Sequence, residues 1–179
     1  MAEPSQSRLW LMRAAYVGLC TLIILFHLLP LETTPRRWVA PDLLLALSFV
    51  WVTRRPDLVP ILSIAFVMLL ADLLLQRPPG AWAALTVGAC EWLRRRGPAL
   101  REMPFAAEWG NVAVATVGVI LGYRLLLGLT MTGQAALSLS MIQMMMTLAA
   151  YPFVALVSQF VFGIRKFAPG EVNALGHRT

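Results

Sequence analysis

Apolar residues run along this chain in long blocks, without the strict alternation of half-buried strands or the one-sided stripe of a surface helix. Six blocks occupy residues 10–29, 38–53, 58–75, 81–93, 106–130 and 139–163. A segment that is apolar on every side needs apolar surroundings on every side, so each block is predicted to be a helix in contact with lipid or with other such helices. The breaks carry helix stops and interfacial charge: Pro30 and Pro35, then Arg54-Arg55-Pro56, then Arg77-Pro78-Pro79-Gly80. These are the marks of short turns. No composition shift or repeat divides the chain, and residues 1–179 read as a single integral membrane domain, an all-α, polytopic six-helix bundle.

The second and fourth blocks have 16 and 13 residues. At 1.5 Å per residue they reach about 24 and 20 Å, short of the roughly 30 Å hydrocarbon core. They either turn back within the membrane or cross it as short spans among longer neighbours. Charge decides between these. With six spans and the N-terminus inside, the inner loops hold Arg8, Arg13, Arg54, Arg55, Arg94, Arg95, Arg96, Arg101, Arg165, Lys166 and Arg178, and the outer loops only Arg36, Arg37 and Arg77. That division follows the positive-inside rule, whereas a re-entrant second or fourth block would bring Arg36-Arg37 and Arg54-Arg55 to one face. The expectation is six spans with both termini cytoplasmic. Trp38, Trp51, Trp82 and Trp92 are expected to anchor the ends of the short spans at the interface. Residues 10–29 are too long for a cleaved signal core and end in Phe26-His27-Leu28-Leu29-Pro30 without a small-residue cleavage pattern, so they read as the first span.

Composition agrees with this reading. AVILMFWYC make up 59% of the 179 residues, against 15 basic and 9 acidic side chains. Soluble domains are about 45–50% apolar and about 25% charged. These figures exclude a disordered chain and a nucleic-acid module, and the net charge of +6 is a property of the loops. Cys20 and Cys90 both lie inside apolar blocks, away from any metal-ligand spacing, and read as packing residues.

Charged groups inside a bilayer cost about 2.5 kcal/mol or more and call for a partner or a wet cavity. Five candidates stand out: His27, Asp42, Asp72, Glu91 and Arg124. Four of them, His27, Asp42, Asp72 and Arg124, fall at the outer level and form a candidate intramembrane polar cluster. Arg124 is the only basic residue well inside a block and is expected to pair with Asp42 or Asp72. The alternative is that Asp42 caps a helix start, while Asp72 and Arg124 lie at the headgroup level. Glu91 has Arg94 and Arg95 at the spacing of a helical ion pair.

Gly118 and Gly122 form a GxxxG, with Gly110 and Ala106 in the same phase; Ala84 and Gly88 form a weaker version in the fourth block. Such stripes serve packing within a bundle or contact with another chain. Met141, Met144, Met145 and Met146 precede Tyr151-Pro152, and are read as adaptable packing against the alternative of a metal path; Pro152 is expected to kink its helix. Arg94, Arg95, Arg96 and Arg101 make the densest basic stretch, read as an inner-face loop against anionic headgroups. No nucleophile elbow, phosphate loop, HExxH or acid and base pair is present, and no catalytic, metal or cofactor-binding residue is expected.

The order of motifs adds a family. Trp38-Val39-Ala40-Pro41-Asp42-Leu43-Leu44-Leu45, then Phe49 and Trp51, Arg55-Pro56, and Ala71-Asp72-Leu73-Leu74 before Pro79-Gly80, resemble the rod-shape-determining MreD family. Tyr151-Pro152-Phe153 and Gly163-Ile164-Arg165-Lys166-Phe167 are similar to that family's last span and its basic exit. The resemblance covers residues 9–167. It implies a noncatalytic scaffold of the bacterial inner membrane that binds MreC, supports rod shape and lateral peptidoglycan synthesis, and reaches MreB, RodA and its transpeptidase indirectly. It also implies a fold similar to the substrate-binding subunits of energy-coupling vitamin transporters. Membrane lipids, and a second copy of the chain as a homodimer, are the other partners expected. The alternative function is a small-molecule, vitamin-like binding subunit of a transporter.

Overall fold

The computed structural model describes residues 6–29 and 40–164, without the side chains of residues 101 and 102. Its helices are α1 (Gln6–Leu28), α2 (Leu43–Arg54), α3 (Ile61–Leu74), α4 (Ala81–Glu102), α5 (Phe105–Leu129) and α6 (Leu137–Phe162), with one turn of 3-10 helix at Pro56–Leu58. Among the described residues there is no strand. Helices α1, α5 and α6 are long and apolar enough to cross a membrane, while α2 and α3 are shorter apolar helices. Pro30, Pro35, Arg36, Arg37, Trp38, Arg165, Lys166, Phe167, His177 and Arg178 lie outside the described residues, as does the side chain of Arg101.

Local chemistry sets most boundaries. The Asp42 carboxylate accepts the Leu45 amide at 3.0 Å, so α2 starts at Leu43 and not at the beginning of its apolar block. A free helix start needs such an acceptor. The helix stops at Arg54 because Pro56 drives the preceding Arg55 out of helical geometry, to φ −142°. Two other ends use a left-handed residue that is not glycine. Gln76 (φ 55°) and Met131 (φ 51°) follow α3 and α5, letting the Arg77 amide reach the Asp72 carbonyl and the Thr132 amide reach the Leu127 carbonyl. These bonds close the last turns in the Schellman manner.

Helix α2 is the axis of the bundle. Every residue from Leu44 to Arg54 is buried, because α1, α4, α5 and α6 all pack around it. At 12 residues it is only about 18 Å long. A helix enclosed by protein need not match the bilayer thickness, which is why so short an element is tolerated here. Trp51, expected at the interface, is instead in this core, with Tyr16 and Phe162 ring centroids each 5.4 Å away. Trp82 is buried as well, so neither of these tryptophans anchors an interface. Tyr16 also reaches α2 through a 2.8 Å hydrogen bond with Ser48.

The outward faces are apolar too. Leu62, Phe66, Leu69 and Leu73 form an exposed stripe on α3, and Phe153, Leu156 and Phe160 another on α6. Soluble monomers rarely expose such continuous apolar surface. With lipid outside, association of these helices rests on close packing and hydrogen bonds more than on expulsion of water.

The fourth helix differs most from expectation. It runs through Arg94-Arg95-Arg96, Gly97 and Pro98 to Glu102, so the basic stretch is helical and not a loop. Its three arginines diverge: Arg94 donates to the Val59 carbonyl at 2.6 Å, Arg95 pairs with Glu91 at 3.1 Å, and Arg96 donates to Asn111 at 3.1 Å while stacking over Trp92. Those local and tertiary acceptors hold the helix past the point where Gly97-Pro98 signals a stop.

Candidate functional site

Polar side chains gather at the two ends of the bundle, and an apolar groove runs between α4 and α5. At one end the Asp72 carboxylate is fully buried. It accepts the amides of Gly80 and Ala83, both at 3.1 Å. Gly80 precedes α4, has φ 84° and no side chain, so the cap that α4 cannot provide locally comes from the end of α3. A carboxylate at a helix N-terminus also meets the positive end of the helix dipole. Nearby, the Asp42 amide donates to Thr147 at 2.9 Å, and Asp42 Oδ2 lies 3.9 Å from Arg77 Nη1. Arg77 covers the ring of Trp82, which meets Tyr123 edge-on at 5.0 Å.

Of the four residues expected to cluster here, Asp42, Asp72 and Arg124 lie at this end of the bundle but make separate contacts. Arg124 does not pair with Asp42 or Asp72; its Nη1 donates to the Ala135 carbonyl at 3.1 Å and to Ser140 at 2.9 Å. One oxygen of each carboxylate accepts backbone amides at a helix start, and Arg77 supplies the positive charge nearest Asp42. His27 is exposed, with Nδ1 3.1 Å from the Ile23 carbonyl of its own helix, and takes no part in the cluster.

The opposite end holds a buried pair that the pattern of apolar blocks did not single out. Arg54 Nε donates to Glu108 Oε1 at 3.1 Å, with side chains only 7% and 1% exposed. Tyr151 donates to the same carboxylate oxygen at 2.8 Å, and Arg54 Nη1 lies 3.4 Å from both the Ala155 carbonyl and Gln159 Oε1. This network ties α2, α5 and α6 together. Its sequence signal was present: Glu108 is the one acidic residue within the fifth block, and Arg54 closes the second at the same end. An open groove of about 490 Å³ lies beside it, between Met103, Phe105, Pro152 and Leu156.

The glycines divide by neighbour. A Cβ on Gly122 would sit 2.9 Å from Leu85, so Gly122 lets α4 and α5 approach within the bundle. Gly88, Gly110 and Gly118 have nothing within 4 Å of that position. Gly88 and Gly118, with Ala84 and Ala115, line an open apolar groove of about 430 Å³ along α4 and α5. The methionines of α6 do not form one path: Met144 packs on the core, while Met145 and Met146 are exposed. Helix α6 continues through Pro152. Among the described residues no three His, Cys, Asp or Glu side chains are grouped as metal ligands, and both cysteines are buried free thiols.

No family model, curated protein or solved structure matches the chain. The bundle contains an open apolar groove between α4 and α5, a buried ion pair at one end and an arginine-lined cavity at the other.

Proposed function

We propose that the chain is a noncatalytic membrane scaffold of the MreD kind, which receives the single membrane helix of MreC in the groove between α4 and α5. Through that partner it serves the bacterial elongation complex and lateral peptidoglycan synthesis. The observation that carries this reading is the groove itself, where Gly88 on one helix and Gly118 on the other leave their Cβ positions unfilled by the bundle. Two small-residue faces side by side allow a third helix backbone to come close, and close packing is the main source of helix association in lipid.

Charge supports an inner-membrane arrangement with cytoplasmic termini. Arg13 donates to the Asp57 carbonyl, Arg94 to that of Val59, and Arg54 lies at the same end, whereas Arg77 and Arg124 occupy the other. By the positive-inside rule the first end faces the cytoplasm. A vitamin-sized ligand calls for an enclosed pocket of about 300 Å³ or more. Among the described residues, the cavity beside Arg124 offers about 130 Å³, and the hollows of about 490 and 430 Å³ are open grooves.

Purification of the full chain from membranes in mild detergent is expected to bring a single-span periplasmic protein with it. Gly88→Leu combined with Gly118→Leu should lower its recovery at least about tenfold, an amount set by the loss of roughly 1.4 kcal/mol of contact. Melting of the scaffold alone should stay unchanged, since neither glycine touches the bundle at its Cβ. Gly122→Leu, by contrast, should destabilise the scaffold itself, because Leu85 occupies the space. Undiminished partner recovery with the first pair of substitutions would remove this groove as the docking face, and a second copy of the chain in place of MreC would make it a dimer interface.

A further inference from the structure

At the end of the bundle opposite Arg54 and Glu108, two arginines turn toward one small cavity. Arg124 uses Nη1 for the Ala135 carbonyl and the Ser140 hydroxyl, and its other N–H groups make no hydrogen bond among the described residues. Arg77 has Asp42 no nearer than 3.9 Å and otherwise lies over the Trp82 ring. Both arginines line a cavity of about 130 Å³, with Tyr123, Ser140 and Gln143 among its polar walls. Asp42 and Asp72 are not in that lining. One oxygen of Asp42 is held by the Leu45 amide, and one of Asp72 by the amides of Gly80 and Ala83. The second oxygen of Asp42 faces Arg77 at 3.9 Å, so Arg124 is the cavity arginine with no carboxylate within ion-pair distance among the described residues.

We propose that this cavity holds a phosphate group, carried by a phospholipid headgroup or free in solution. Guanidinium forks match the oxygens of a phosphate in pairs, and such charge-assisted bonds are stronger than neutral ones. The tyrosine, serine and glutamine walls add hydroxyl and amide donors. The volume is well below the roughly 300 Å³ at which organic-ligand pockets begin, and suits a compact oxyanion. An arginine close to the end of a membrane helix also lies at the depth of lipid headgroups. The proposal does not depend on the groove between α4 and α5 or on its occupant.

Two measurements on the full chain test it. In the first, the protein is taken from phosphatidylglycerol vesicles into detergent and retained phospholipid is counted by native mass spectrometry. In the second, delipidated protein is melted in inorganic phosphate and in chloride of equal ionic strength. Retained lipid identifies a headgroup as the source, and a phosphate-specific rise in melting temperature identifies the free anion. Arg77→Gln with Arg124→Gln is expected to lower lipid retention at least about tenfold, or to abolish the phosphate shift, as loss of charged hydrogen bonds requires. Arg96→Gln, at the other end of the bundle, should change neither. If the double substitution prevents folding, Arg124→Lys keeps the charge but loses the fork, and should lower retention severalfold. The proposal is overturned if wild-type protein shows neither retention nor shift, if the folded cavity variants match wild type, or if Arg96→Gln has the same effect as they do.

Discussion

Glu108→Gln is expected to destabilise the folded chain by about 3–5 kcal/mol, the cost of leaving one member of a buried ion pair uncompensated. The Arg54 guanidinium is 7% exposed, its Nε bond to Glu108 is 3.1 Å long, and its other contacts, at 3.4 Å, are to neutral oxygens. Glutamine keeps an acceptor for Tyr151 but not the charge. The effect should appear as a large fall in melting temperature in detergent and as loss of the monodisperse species. Removing both charges separates the cost of an unpaired ion from the value of the pair. Arg54→Met with Glu108→Leu should recover most of the lost stability, since apolar replacement of a whole buried pair is often neutral or stabilising. Tyr151→Phe removes the 2.8 Å bond to Glu108 and a long 3.5 Å contact with Thr53, and should cost only about 1–2 kcal/mol. If Glu108→Gln melts like wild type, the network does not hold α2, α5 and α6 together.

The second large effect is expected at Asp72. Asp72→Ala leaves the Gly80 and Ala83 amides without their acceptor in a buried turn, and should cost about 2–4 kcal/mol from the lost cap and the unsatisfied donors. Asp72→Asn retains an oxygen for these amides and loses mainly the charge at the helix start, worth about 0.3–2 kcal/mol. Melting curves should therefore rank wild type above the asparagine variant and that above the alanine variant. Equal melting of the alanine variant and wild type would mean that α4 does not depend on a cap from α3.

The two sites also show what sequence reading can reach. Asp42 and Pro56 act on their own helix ends, and such short-range effects were legible in Pro41-Asp42 and Arg55-Pro56. The Glu91 and Arg95 contact is one helical turn long and follows from spacing alone. Asp72 was legible as a buried charge, but its target was not, because the amides it accepts lie beyond a proline-rich turn. The run of arginines after Leu93 reads as a loop in the sequence because the apolar block ends there and charge begins. Tertiary acceptors on Val59 and Asn111 overrode that signal.

By itself the sequence determined the solvent, the number of helices and most of their ends, since these depend on averaged apolarity and on capping within a few residues. Only the tertiary structure decided which faces turn inward. Helices that are apolar all round carry no stripe to reveal it, so nothing in the linear pattern says that Arg54 meets Glu108 across 54 positions, that Trp51 is core, or that Gly122 is filled while Gly118 is open. Those outcomes depend on the rotation of each helix about its axis, which is fixed by the side chains of the others.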